Sequence, residues 1–291
     1  MKDRLKKIRR TARYFLILGV VRLIQRQSAS SLPKLERLLV KLLSPFYLHE
    51  FRRAEALLPD EFFAKKEEIL AGMMHNQARN LLEMILYEKL CADDPQFLTL
   101  DGREHLDTAL AAGKGAIILS AHYGNWEMAG YKVSTAEHPL HVIARPQAID
   151  RMTELIKEFR EKRGVQVLMK DHMTVSMKVL QEGGLVGIIP DLNAREWGYQ
   201  VPFFGRIASF YPTPIILSQR SGAPLLPTFI VRDRRGRNRV RIESPVIFDR
   251  REPMLARVRC YVERIEEAIR RRPDHWVWFH ERYRHADLGR K

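Results

Sequence analysis

Apolar and polar positions follow two different periods along this chain, and the period changes near residue 96. Before that point the spacing is helical. Leu35, Leu38, Leu39 and Leu42 predict an amphipathic helix over residues 32–44, closed by Pro45. Met73, Met74, Leu81, Leu82, Met84, Ile85 and Leu86 predict a longer helix over about residues 60–90, with the methionines read as core filler. Beyond residue 96, short apolar runs at 97–100, 116–121, 140–144, 165–169 and 185–189 alternate with amphipathic stretches at 103–112, 125–136, 148–162 and 173–182. That alternation predicts an α/β fold: a largely parallel mixed sheet flanked by helices. Two later apolar runs, 225–231 and 240–248, flank Arg234, Arg235, Gly236, Arg237 and Asn238 and predict an antiparallel hairpin added to the sheet. A helix over 253–271 then leads into the aromatic segment 275–283, where Trp276, Trp278 and His280 alternate as in a strand and are read as core packing rather than catalysis.

No internal repeat or Gly/Ser-rich linker interrupts the pattern. The economical organisation is a basic amphipathic membrane-surface helix over residues 1–30, then a single α/β domain over 31–291, with a helical lead-in (31–95) and a core (96–285). In the first segment Lys2, Arg4, Lys6, Lys7, Arg9, Arg10 and Arg13 precede an apolar run over 14–21 that Arg22 and Arg26 interrupt. A bilayer span needs about 20 largely apolar residues, so this run is too short. The two arginines also argue against a secretory signal. An interfacial helix fits better: Phe15, Leu16, Ile17, Leu18, Val20 and Val21 would enter the acyl boundary while the cations hold anionic head groups, the bland alternative being an ordinary basic helix packed on the domain.

Composition narrows the classes. With 45% hydrophobic and 29% charged residues the chain is not of a disordered type. Fifty Lys and Arg against thirty-five Asp and Glu leave a net charge of +15, which points to phosphate-rich partners or an anionic surface. Only Cys91 and Cys260 are present, too few for a disulfide framework and without metal-binding or redox spacing.

The strongest chemical signal is Ser120-Ala121-His122-Tyr123-Gly124-Asn125-Trp126-Glu127, directly after the run at 116–118. In open parallel sheets ligands bind beyond the carboxyl ends of strands, which is where His122 falls. On one continuous helix, five residues would turn Glu127 about 140° away from His122. Across a turn, with Gly124 bending and Asn125 capping, Glu127 is expected to reach back to the imidazole and fix its tautomer for general-base work. The bland alternative, a capped helix with a satisfied histidine, stands beside this reading. Metal binding and a serine hydrolase both fit poorly, since the metal-ligand spacing and the G-x-S-x-G elbow are absent.

Taken with three later blocks, this motif resembles the bacterial lysophospholipid acyltransferase superfamily, and within it the late acyltransferases of lipid A biosynthesis and their glycolipid-acylating relatives. The hallmark is a histidine, four residues, then an acid, matched here by His122 and Glu127. The other blocks are Ala144-Arg145-Pro146, Ile189-Pro190-Asp191 with its loop to Gly205, and the closing Trp276-Val277-Trp278-Phe279-His280-Glu281-Arg282-Tyr283. They span about residues 105–285. The N-terminus departs from the lipid A branch, whose members carry a longer apolar anchor.

The resemblance implies a glycerol-3-phosphate acyltransferase-like fold and an acyl transfer without cofactor or metal, at the cytoplasmic face of the bacterial inner membrane. The donor is an acyl thioester, acyl carrier protein being favoured over coenzyme A. The acceptor is a hydroxyl of a lipid A precursor, a related glycolipid or a lysolipid. His122 would act as base and Glu127 as its support, with direct transfer and no acyl-enzyme. Backbone N–H groups near residues 124–126 are candidate oxyanion donors. Asp191, Arg145, Arg163 and Asn125 are the substrate-binding candidates, the arginines as phosphate clamps; beside this stand a strand-end aspartate that only starts a turn and, favoured slightly for Arg163, an ordinary surface arginine. The loop over 193–210, rich in aromatics, would suit a tunnel wall, a membrane rim or simple packing.

Two other classes remain as expectations. The arginine-rich hairpin raises a basic nucleic-acid-binding protein, but no nucleic-acid motif accompanies it and no nucleic-acid partner is expected. A family member that binds lipid without turnover is disfavoured by the intact His122 and Glu127.

Overall fold

The computed structural model describes residues 2–144, 150–168 and 172–283. Its helical lead-in comprises α1 (Lys2–Gln25), α2 (Leu32–Leu43), α3 (Leu48–Leu57) and α4 (Lys66–Asp93). The core continues with β1 (Leu98–Asp101), α5 (Arg103–Ala111), β2 (Ala116–Leu119), α6 (Trp126–Val133), β3 (Leu140–Ile143), α7 (Asp150–Glu161), β4 (Val165–Leu168), α8 (His172–Gln181) and β5 (Leu185–Ile188). It closes with β6 (Tyr199–Phe203), β7 (Arg206–Phe210), α9 (Thr213–Ser221), β8 (Leu225–Arg232), β9 (Asn238–Ile242) and α10 (Met254–Arg271).

The seven-stranded sheet among the described residues has the order β1-β9-β8-β2-β5-β3-β4. All neighbours in it are parallel except β8 and β9, whose antiparallel pairing forms the expected hairpin. The expected α/β class with a mostly parallel, helix-flanked sheet is therefore present.

Side chains leave β2 alternately to the two faces. Ile117, Leu119 and Ala121 enter one core with Val186, Ile188, Leu225 and the Val258, Tyr261, Val262 and Ile265 face of α10. Ala116 and Ile118 enter the other with Leu82, Ile85 and Leu86 of α4, Met128 of α6 and Val21 and Ile24 of α1. Burial on both faces is why β2 and β5 read as continuous apolar runs.

Several expected boundaries move. The helix expected over 60–90 opens as a 3-10 turn, Asp60–Lys65, before α4 begins. Residues 199–210, expected as loop, form the two-stranded β6–β7 hairpin, with Val201, Phe203, Ala208 and Phe210 turned into the core. The run at 240–248 leaves the sheet after Ile242. Residues 276–283 form no strand: Trp276 makes one isolated bridge to Tyr123, and Val277 is as buried as the two tryptophans. On α1, Val21 packs inward with Ile24 against α4 instead of pointing outward with Leu16, Val20 and Leu23. Among the described residues, no helix is long and apolar enough to cross a membrane.

Candidate active site

β2 and β5 are parallel neighbours in a register that sets Leu119 beside Ile188. Each chain then runs three residues past that rung, so the sheet delivers His122 and Asp191 to one edge at one height. The side chains meet there: His122 Nδ1 lies 2.6 Å from Asp191 Oδ1, and the His122 amide donates to Asp191 Oδ2 at 3.1 Å. An ionised carboxylate only accepts, so in the neutral imidazole the proton sits on Nδ1 and the lone pair on Nε2, the nitrogen that Asp191 does not hold. The His122 side chain is 20% exposed and that of Asp191 is 0% exposed.

The closing segment encloses the carboxylate. Trp276 Nε1 donates to Asp191 Oδ2 at 2.9 Å, and the Arg282 guanidinium donates to Asp191 Oδ2 at 2.9 Å and to the Asp191 carbonyl at 2.6 Å. Arg282 also stacks 3.6 Å over the Trp276 ring and donates to the Val277 carbonyl. Burial opposes ionisation of Asp191, yet His122, the Arg282 charge and these hydrogen bonds together hold it well below the usual carboxylate range. The result is a fixed anion behind the imidazole.

The turn between β2 and α6 is tied to the same segment. Gly124 N–H donates to the His275 carbonyl at 2.8 Å, and Val277 N–H to the His122 carbonyl at 3.1 Å. Gly124 has φ +56°, and a Cβ there would come 2.2 Å from the Ile230 carbonyl oxygen, so only glycine fits. Asn125 caps α6 by accepting from Met128 N–H. Among the described residues, the N–H groups of Asn125, Trp126 and Glu127 find no acceptor and lie in the turn that leaves the imidazole. Trp126 and His280 flank His122 edge-on, with ring centroids at 5.1 and 5.2 Å. Burial and the Arg282 charge push His280 down to about 3, so it is a neutral neighbour.

The sequence model of bacterial lipid A biosynthesis acyltransferases matches residues 1–285. This chain belongs to that family. Among the relatives of this family member, phosphatidylinositol mannoside acyltransferase of Mycobacterium tuberculosis is 30% identical over 134 residues, covering 44% of this chain and 42% of that one. The enzyme of the same name from Mycolicibacterium smegmatis is 29% identical over 129 residues, covering 43% and 42%. The matched region thus spans less than half the length of these relatives. Among solved structures, the 1-acyl-sn-glycerophosphate (LPA) acyltransferase PlsC from Thermotoga maritima aligns with a TM-score of 0.39 at 16% identity, covering 81% of this chain and 95% of that one.

Within this family member, the hydrogen bond expected between Glu127 and His122 is not formed. Glu127 lies in the first turn of α6 and turns toward α7, where Arg160 Nε and Nη2 take its two oxygens at 2.9 and 2.6 Å. Asp191, expected as a substrate-binding residue, holds the imidazole instead. Arg163 is already engaged: it donates to both oxygens of Glu88 at 2.8 and 2.9 Å and sits against the rings of Tyr87, Tyr131 and Phe159. Asn125 spends its side chain on the cap, on Glu83 and on the Asn80 carbonyl. Arg145 lies outside the described residues.

Sequence reasoning misses Arg282, Trp276 and Arg160 as site residues. The Trp-x-Trp-x-His-x-Arg run stands out in the chain, but nothing local says that its tryptophan and arginine turn onto Asp191. Among the described residues, no group of three or more His, Cys, Asp and Glu is placed to hold a metal ion. A cavity of 570 Å³ opens elsewhere, between β1, β9 and α10, where Arg264 and Arg271 are already paired with Glu243.

Proposed function

We propose that the chain transfers a fatty acyl group from a thioester to a hydroxyl of a lipid A precursor or related glycolipid, with His122 as general base and Asp191 as its orienting anion. The observation carrying this reading is the 2.6 Å contact between His122 Nδ1 and the buried Asp191 carboxylate at the carboxyl edge of the sheet. The acceptor hydroxyl gives its proton to His122 Nε2 as its oxygen attacks the thioester carbonyl carbon. The tetrahedral oxyanion accepts hydrogen bonds from amides among Asn125, Trp126 and Glu127. Collapse breaks the carbon–sulfur bond, and the departing thiolate takes the proton from the imidazolium.

No acyl-enzyme is needed, because the thioester is already activated. Both cysteines lie on helices away from His122, and burial pushes their thiols up. Glu127, held by Arg160, fixes the first turn of α6 and supports His122 only at a distance. An acidic acyl carrier protein suits the +15 surface better than coenzyme A. Exposed Phe15, Leu16, Val20 and Leu23 on α1, with Leu38 and Leu42 on α2, support contact with an anionic membrane surface, since Arg9, Arg10, Arg13, Arg22 and Arg26 accompany them. Arg151 at the start of α7 lies over the Tyr14 and Phe15 rings, which ties α1 to the helix that holds Glu127.

The test incubates the full chain with acyl carrier protein and coenzyme A thioesters, lipid A precursors, phosphatidylinositol mannosides and lysophospholipids in mixed micelles, reading products by mass spectrometry. Transfer by wild type that vanishes in His122→Ala supports the reading. Equal lipid binding by both proteins without transfer would replace it with non-catalytic lipid binding.

A further inference from the structure

Away from the reacting pair, α4 directs a polar stripe at the turn that carries it. Asn76, Asn80 and Glu83 stand at i, i+4 and i+7, so they share one face of the helix. The Glu83 side chain is 0% exposed, yet its carboxylate is fully engaged. It accepts from Arg232 at 2.9 and 2.7 Å, from Arg79 at 3.1 Å and from Asn125 Nδ2 at 2.9 Å. Asn80 Oδ1 accepts from Arg232 at 2.9 Å, and Asn80 Nδ2 donates to the Gly124 carbonyl at 2.7 Å. Asn76 Oδ1 takes a further bond from Arg232. The Arg232 amide in turn donates to His275 Nε2 at 3.0 Å, and the His275 carbonyl holds Gly124 N–H.

Burying a carboxylate and a guanidinium costs several kcal/mol per ion, and a well-packed apolar pair of similar volume is often at least as stable. Stability is therefore a weak reason for this cluster. Its outputs converge on two residues, Gly124 and Asn125, whose backbone sets the direction of the unpaired amides of α6 and of the chain leaving His122. We infer that Glu83, Asn80 and Arg232 are positioning residues for the acyl transfer, holding the β2–α6 turn so that its amides meet the developing oxyanion. The inference rests on the acyl-transfer reading above. Misplacing reacting groups by about 1 Å costs on the order of 100-fold in rate, so loosening this grip should be visible in kcat.

Two variants of the full chain test it. Asn80→Ala removes the bond to the Gly124 carbonyl. Asn125→Ser keeps a good helix cap but releases Glu83. For each, kcat per folded molecule should fall about 10- to 100-fold with KM for donor and acceptor within about twofold. The pH profile should keep its shape, because Asp191 still holds His122. Hydrogen exchange should speed up in the peptide over 120–128 and stay unchanged in α10. Wild-type kcat in both variants, or a rise in KM alone, overturns the inference. So does loss of protection throughout the molecule, which is the signature of a merely structural role. If wild type transfers no acyl group while His122→Ala binds lipid equally, the acyl-transfer reading fails instead, and the catalytic meaning of the cluster fails with it.

Discussion

Asp191→Asn removes one charge and changes one atom, and the donors around Asp191 turn that small change into a large one. Three of them converge on the native carboxylate besides the imidazole: the His122 amide, the Trp276 indole and the Arg282 guanidinium. An amide keeps one acceptor oxygen, which these donors claim, so its NH2 is left facing His122 Nδ1. The imidazole must then accept at Nδ1 and carry its proton on Nε2, the atom that should receive the proton of the acceptor hydroxyl. The same swap in a Ser-His-Asp triad lowers kcat about 10⁴-fold. A similar loss is expected here, equivalent to about 5.5 kcal/mol of barrier.

Stability suffers as well, since the Arg282 side chain is only 2% exposed and loses its counter-charge. Breaking such a pair costs about 3–5 kcal/mol. The assay is therefore initial-rate acyl transfer in micelles, normalised to the folded fraction from thermal melts. The double variant Asp191→Asn/Arg282→Met provides the control: it should regain much of the stability and none of the rate. A folded Asp191→Asn protein with kcat within tenfold of wild type would refute the tautomer argument.

The same contacts set further outcomes. Glu127→Gln should cost far less than Asp191→Asn and couple to Arg160→Met by about 0.5–3 kcal/mol in a double-mutant cycle; a full 10⁴-fold loss would return Glu127 to the imidazole. His280 titrates at about 3 when folded, against about 6.5 when unfolded, so the unfolded chain binds the extra proton between those values. Its contribution to stability is complete above about pH 6.5 and is lost toward pH 3 at about 1.4 kcal/mol per unit. Denaturant titrations from pH 6.5 to 4.5 should show a slope that His280→Asn reduces; equal slopes would reject the shift. The triple variant Leu16→Ser/Val20→Ser/Leu23→Ser, at positions 69%, 45% and 60% exposed, should weaken binding to anionic vesicles about 100-fold without lowering the melting temperature. Undiminished binding would exclude α1 as the membrane contact. Gly124→Ala should fail to fold or lose activity, measured by melts and transfer rate, because its methyl would strike the Ile230 carbonyl.

Much of the architecture could be read locally. The apolar runs that became β2, β3, β4 and β5 are short-range patterns, and the helices between them imply parallel strands whatever their order. The β6–β7 hairpin is not legible locally, because its alternation is broken by Pro202 and its turn lies at Phe204 and Gly205, an unusual place for a phenylalanine at φ 50°. In the site, His122 was legible from its strand-turn-helix setting, and so were the Gly124 bend and the Asn125 cap, all within a few residues of one another. Local patterning thus carries the layered α/β class and sets His122 just past the carboxyl end of β2.

Which acid meets that histidine depends on packing far along the chain. Glu127 is five residues away in the chain but is claimed by Arg160 of α7, whereas Asp191 is reached through a strand order that puts β5 directly beside β2. Once Leu119 and Ile188 share a rung, His122 and Asp191 must emerge together. The Trp276 and Arg282 contacts depend likewise on where the closing segment lands. Local periodicity specifies an element and its buried face; strand order and long-range side-chain pairing arise from packing across the whole chain, which no local spacing encodes.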